Sequence, residues 1–217
     1  GSYTEKRYGF SVGAPLIEDT LFIFAAYEKL EGANTFDRGA IGTGAINEVA
    51  ISQEQLAQIQ SVSQSLYNFD AGTTPLSMPN EDEKLLVKLD WNINNDHRAA
   101  FTYNRTEGNN LRGVSSSQNS LNLDTNWYDY QQNMDLFRLS WFGDWSADLS
   151  SEIYVSHKSV ESISGLVTRD FGDVSVRTES GTLNFGPDSN RHANQLENDN
   201  FKIGAKFDYL VGDHEIE

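Results

Sequence analysis

The densest cluster of side chains able to do chemistry is Trp127-Tyr128-Asp129-Tyr130. Aromatic rings with a carboxylate beside them suit sugars and peptides, because rings cover apolar faces while phenol and carboxylate groups make directional hydrogen bonds. These four are the candidate ligand-binding residues, although the same residue types also pack one loop on another. Other patterns carry less. Asp170-Phe171-Gly172 matches a kinase metal-binding triplet, but no lysine strand or catalytic loop accompanies it. Gly39, Gly42 and Gly44 mimic a phosphate loop, yet no strand runs directly into them and a helix starts only at Ser52. Glu81-Asp82-Glu83, and Asp124 with Asp129, could offer oxygen ligands to calcium, but no calcium-loop spacing is present, so they read as solvated surface. Asn104-Arg105-Thr106 fits a glycosylation acceptor in sequence only.

The histidines at 97, 157, 192 and 214 are dispersed, and His97 and His214 fall in equivalent short turns where they are expected to be solvated. No nucleophile has a base at a recognisable spacing, so no catalytic residue, metal ligand or cofactor is expected and the chain does not read as an enzyme.

The elements that must position these residues are strands. From Leu85 to Ile93 every odd position is apolar, while Lys88, Asp90 and Asn92 share the other face. A tight Asn94-Asn95-Asp96-His97 turn leads into a second strand over 98–104. Period-two alternation marks a strand with one oily and one wet side. Similar pairs cover 7–14 with 21–29, and 135–143 with 149–157; a fourth starts at 201–209 and turns through Gly212-Asp213. Leu21-Phe22-Ile23-Phe24 is apolar on both faces, so its inward side must pack on something or lie near a rim. Short turns alternate with long polar stretches, the layout of an up-and-down transmembrane β-barrel. Trp91, Trp141, Trp145 and Tyr209 gather near the short turns, as an aromatic belt would. Inward Lys88, Asp90, Arg98, Arg138 and Glu152, with Lys202, Lys206 and Asp208, read as lumen structure that pairs across the wall or meets a plug.

Within the longest excursion, 31–83, one helix is expected. Ser52 and Gln55 have capping-box spacing, Ile51 can staple to Leu56, and Leu56, Ile59, Val62 and Leu66 recur at helical spacing towards Tyr67. The fold class is therefore all-β: antiparallel up-and-down hairpins from a transmembrane β-barrel, with one helix in a long surface loop.

The chain has 217 residues and a net charge of -16, which argues against a nucleic-acid partner and fits hydrated acidic loops. The mean hydropathy of -0.53 is ordinary for a barrel that hides its lipid face in every second residue. No run approaches the roughly 18 apolar residues of a spanning helix. Cysteine is absent, which excludes a disulfide scaffold and thiolate metal sites. Gly1-Ser2 reads as a cloning remnant, and both ends look cut, so 3–217 is expected to be a partial barrel of about seven strands with long extracellular loops.

Gly9-Phe10-Ser11-Val12-Gly13-Ala14-Pro15-Leu16-Ile17, with Thr20-Leu21-Phe22-Ile23-Phe24 and Tyr27-Glu28, resembles an early barrel hairpin of the TonB-dependent outer-membrane receptors. Leu89-Asp90-Trp91-Asn92-Ile93-Asn94 with Asp96-His97-Arg98, and Phe207-Asp208-Tyr209 with Gly212-Asp213-His214, are similar to the same family, in its Oar-like subgroup. The resemblance implies a 22-stranded barrel plugged by an N-terminal domain, importing a scarce nutrient through an inner-membrane energy partner. It implies as partners the remainder of the barrel and the plug domain, TonB through a missing N-terminal region, outer-membrane lipid and an unidentified nutrient ligand, at the cell outer membrane. Plug, energy-coupling box and terminal strand are not in this sequence, so the fragment is not expected to transport alone. Open sheet edges and an oily face make self-association of the isolated fragment the expectation. The alternative is a soluble β-sandwich that binds carbohydrate or peptide. A glycosidase on a β scaffold, the third reading, needs two carboxylates about 5 to 10 Å apart in a cleft.

Overall fold

The computed structural model describes residues 4–75, 77–114, 117–191 and 194–217; Gly1-Ser2, where a cloning remnant is expected, and His192 lie outside the described residues. In chain order the elements are β1 (Lys6–Ile17), β2 (Leu21–Thr35), β3 (Arg38–Ile41), β4 (Asn47–Ser52), α1 (Gln53–Tyr67), β5 (Ser77–Asn92) and β6 (His97–Arg112). They continue with β7 (Ser120–Asn122), β8 (Tyr128–Ser146), β9 (Leu149–Leu166), β10 (Val174–Arg177), β11 (Thr182–Phe185), β12 (Gln195–Val211) and β13 (His214–Ile216).

One antiparallel sheet in the order β1-β2-β5-β6-β8-β9-β12-β13 forms the wall. Its register explains the alternation. Ala14, Ile23, Leu89, Phe101, Leu139, Val155 and Ile203 are direct cross-strand partners in one row, so the oily positions of seven strands form one continuous face. The row one residue away reads Gly13, Phe24, Lys88, Thr102, Arg138, Ser156 and Lys202 on the opposite face. A one-residue slip anywhere would exchange the faces, so the sequence pattern pins the register. The outer face is uncovered: Leu139 is 51% and Ile203 72% exposed. A sandwich would bury Val87, Leu89, Phe101, Phe137, Leu139 and Phe207 between two sheets; here they share a single outward face. This is the all-β, up-and-down wall of a barrel-type protein.

The strands outrun the alternating segments. β5 begins at Ser77, so Glu81-Asp82-Glu83 lies in a strand and not in a loop. On the outer face Glu83, Glu107, Asn133, Glu161 and Glu197 form a cross-strand row that closes the apolar band at the long-loop end. Beyond that row both faces are mostly polar, with Leu111, Ile163 and Leu166 among them, and the clean alternation ends. The excursion expected over 31–83 shortens to 36–76.

Inward-facing glycine lets rings lie flat on the wall. A Cβ at Gly204 would collide with the ring of Tyr154, its partner across β9 and β12. Phe24, on the doubly apolar stretch of β2, lies beside its partner Gly13, where a Cβ would only touch the ring. That answers what the inward side of β2 packs on.

The fully buried core lies outside the wall. Segments 36–75, 113–114 with 117–127, and 167–191 fold together into a cap built on Ala40, Val49, Ile51, Ala71, Leu121, Leu123, Leu183 and Phe185. β3 and β4 pair in parallel, and so do β7 and β11, with β10 antiparallel to β11. Backbone bonds stitch the three segments: Ala50 N–H donates to Gln118 O at 3.1 Å, Leu123 N–H to Asn184 O at 2.9 Å and Asp124 N–H to Thr73 O at 2.8 Å.

The helix follows its capping box. Gln55 N–H donates to Ser52 Oγ at 3.1 Å, and Ser52 N–H donates to Gln55 Oε1 at 3.0 Å. Asn68 closes it in the left-handed region at φ 51. Its buried face is Leu56, Ile59 and Ser63, whereas Val62 and Leu66 of the expected stripe face outwards.

Candidate functional site

The cap sits where β2, β6 and β9 end, opposite the short turns. The aromatic quartet lies at its junction with the wall, and the structure divides it. Trp127 is fully buried, with the Phe36 ring 4.8 Å away at 57° and its Nε1–H donating to Asn122 O at 3.3 Å. It anchors the cap. Tyr128, Asp129 and Tyr130 open β8, where alternation sends the two tyrosines inward with Arg138 and Asp129 outward with Asp135. The guanidinium of Arg112 stands 3.6 Å over the Tyr130 ring, and that of Arg191 stands 5.4 Å over the Tyr128 ring. Arg191 also pairs with buried Asp188, and that hydrogen bond pushes the arginine pKa up. The quartet therefore contributes two arginine-covered rings to the inward face, one core residue and one outward carboxylate, not one continuous surface.

The weaker patterns resolve into structural roles. Gly42 and Gly44 do point backbone N–H groups at an anion, but it is the chain's own Glu48, whose Oε1 accepts at 3.0 and 3.1 Å. Asp124 accepts from Thr73 N–H at 2.8 Å and ties two cap segments together. Phe171 of the kinase-like triplet stacks on Phe69 with centroids 3.8 Å apart, inside an aromatic group that includes Phe185. Among the described residues no cluster of three or more acidic or histidine side chains is placed to hold a metal.

The wall residues pair along and between strands. Lys88 meets Asp90 at 2.9 Å, Arg138 meets Glu152 at 2.9 Å and Lys206 meets Asp208 at 3.0 Å, while Arg98 covers the Phe142 ring at 4.2 Å. All remain partly exposed, so each pair contributes about 0–1 kcal/mol; their value is a hydrated, charge-balanced inner face. His97 departs from expectation. It is half-buried between Trp141 and Trp145, at centroid distances of 5.5 and 5.0 Å, and so belongs to the aromatic girdle and not to a solvated turn. His214 is exposed as expected. Trp145 Nε1–H donates to Ser151 Oγ at 2.8 Å on the same outward face.

The cap was the feature least visible in the sequence. A signal existed: Ser120-Leu121-Asn122-Leu123 and Thr182-Leu183-Asn184-Phe185 share one small pattern. The structure sets them side by side in register, with Asn184 Nδ2 donating to Asn122 Oδ1 at 2.7 Å.

No family model matches the chain, and no curated protein matches it. Among solved structures it is similar to the crystal structure of the outer membrane transporter YddB from Escherichia coli. The TM-score is 0.62 at 12% identity, over 98% of this chain and 24% of the transporter. The chain thus spans about a quarter of that protein's length. At this identity the likeness establishes the fold, an outer-membrane barrel wall, and leaves activity to be argued from the residues.

Proposed function

We propose that this chain is a wall segment, with its outer loops, of a TonB-dependent receptor for energy-coupled nutrient uptake in a Gram-negative outer membrane. The observation that carries the reading is a pair of adjacent rows across seven strands, the outward one wholly apolar and the inward one polar or charged from β5 to β12, with Gly13 and Phe24 at its β1–β2 end. A sheet with water on one side and an apolar face that no other layer of the chain covers fits hydrocarbon on that second side. The family resemblance of the β1–β2, β5–β6 and β12–β13 hairpins adds TonB coupling and the Oar-like subgroup to the proposal. In it the remaining strands continue from the edge strands β1 and β13, a plug meets the ion-paired inner face, and lipid covers the outer one. The segment is a transport component rather than an enzyme and does not transport alone. Separated from its neighbours, it associates through its unpaired edges. Tyr128 and Tyr130, inward and beneath arginines, are the quartet members placed to meet a nutrient descending past the cap.

Uptake in cells producing the complete receptor tests this. Transport is expected to stop when TonB is deleted or the proton-motive force is collapsed, and to fall when Tyr130→Ala removes the inward ring. Uptake that persists without TonB refutes the energy coupling.

A further inference from the structure

The cap carries apolar side chains that no membrane explains. The outward apolar band ends at the carboxylate row through Glu83 and Glu161, and α1 lies in the cap at the long-loop end. Even so, Val62 is 44%, Leu66 70% and Tyr67 66% exposed along this helix. Large apolar groups left in water mark a binding surface. Here the surface is concave. Val62 and Tyr67 open onto a cavity of about 540 Å³ between α1 and β10–β11, floored by Ile59, Val174, Val176 and Phe185. That volume falls within the range of about 300–1,000 Å³ typical of small-molecule sites.

The charge of the lining selects the occupant. The chain has 32 acidic and 16 basic residues, yet none of them lines this cavity. Its polar members are neutral amides and hydroxyls. Three of these are already engaged: Thr178 Oγ1 donates to Gly181 O at 2.9 Å, Ser63 Oγ donates to Phe69 O at 2.8 Å, and Gln55 Oε1 accepts from Ser52 N–H at 3.0 Å. The Gln58 side-chain amide and the Tyr67 hydroxyl also border the cavity and make no hydrogen bond among the described residues. An ion entering would shed water against valine and isoleucine with no counter-charge, a large cost; a neutral molecule would not.

We propose that this cavity binds a small uncharged molecule with an apolar, ring-sized body and hydrogen-bonding groups at one end. The body lies on Ile59, Val62, Val174 and Val176, and the polar end meets the Gln58 amide and the Tyr67 hydroxyl. The inference uses the barrel-wall fold but not TonB coupling, so a receptor driven by another energy source would still bind.

Three probes with one body test it: benzyl glucoside, benzyl phosphate and benzyltrimethylammonium. Saturation-transfer NMR would be recorded on the complete receptor in lipid nanodiscs, with empty nanodiscs subtracting partition into lipid. Transfer is expected for the glucoside alone. Val62→Glu, at an exposed helix position that tolerates the change, should weaken it about tenfold or more by facing the ring with a charge. Gln58→Ala should weaken it severalfold while the helix signal in circular dichroism stays unchanged. Equal transfer to a charged probe, an unaffected Val62→Glu variant, or no transfer at all because another stretch of chain fills the groove, would each overturn the proposal.

Discussion

Leu183→Ala should loosen the cap and leave the wall intact. Leu183 is fully buried, paired in parallel register with Leu121 and clustered with Val49 and Ile51. The substitution removes three carbons, worth about 0.8 kcal/mol each, or about 2.4 kcal/mol in transfer alone. The cavity left behind adds to this, within the usual span of about 2–5 kcal/mol for buried leucine truncations. No residue of that buried cluster lies on a strand of the wall, so the loss stays local. Hydrogen exchange read by mass spectrometry separates the two parts. Amides of Ala50, Leu123 and Thr182 bond across the cap segments and should exchange about fifty times faster or more. The ladder joining β6 to β8 through Phe101 and Leu139 should not change. Leu66→Ala, at a 70% exposed position, serves as the comparison and should stay within about 0.5 kcal/mol. If Leu183→Ala leaves those three amides protected, or loosens cap and wall by the same factor, the cap is not an independent core.

Leu139→Arg puts a charge in the middle of the outward row and should cost about 2–4 kcal/mol in bilayers by denaturant titration, whereas Lys88→Gln on the inner face should cost less than about 1 kcal/mol. Gly204→Val should destabilise the wall by about 1–3 kcal/mol through its collision with Tyr154. A double-mutant cycle with Tyr154→Ala should then recover most of that loss; additive effects would show that the ring is not the obstacle. Ser52→Ala breaks one half of the capping box and should cost about 1 kcal/mol, visible as faster exchange in the first turn of α1 and nowhere in the wall.

What the sequence revealed follows from where water is. In the membrane band only one side of each strand is wet, so Leu85 to Trp91 alternate and their register can be read from composition alone. Above the carboxylate row both faces are wet, alternation disappears, and the continuation of β5 through Glu81-Asp82-Glu83 leaves no hydropathy trace. The helix was legible because its signal is local: Ser52 and Gln55 satisfy each other's backbone across three residues. Its buried face was not, since Val62 and Leu66 follow helical spacing but nothing packs over them, while Ser63 turns inward to bond Phe69 O. The cap core was hidden for two reasons. Its strands are only three to six residues long, and its defining pair, β7 with β11, joins parallel partners some sixty residues apart in the chain. The aromatic quartet illustrates a limit of residue type as evidence. Four adjacent positions went to three environments, because a strand starts in the middle of them.

The account rests on hydrocarbon touching one face of the wall and water the other, and neighbouring spin labels read that directly. The chain has no cysteine, so Leu139→Cys and Arg138→Cys each accept a single nitroxide. In bilayers the label at 139 should collide readily with dissolved oxygen and barely with a water-soluble nickel complex, and the label at 138 should show the reverse. Equal access at both positions, or nickel favouring 139, would contradict the membrane-wall reading.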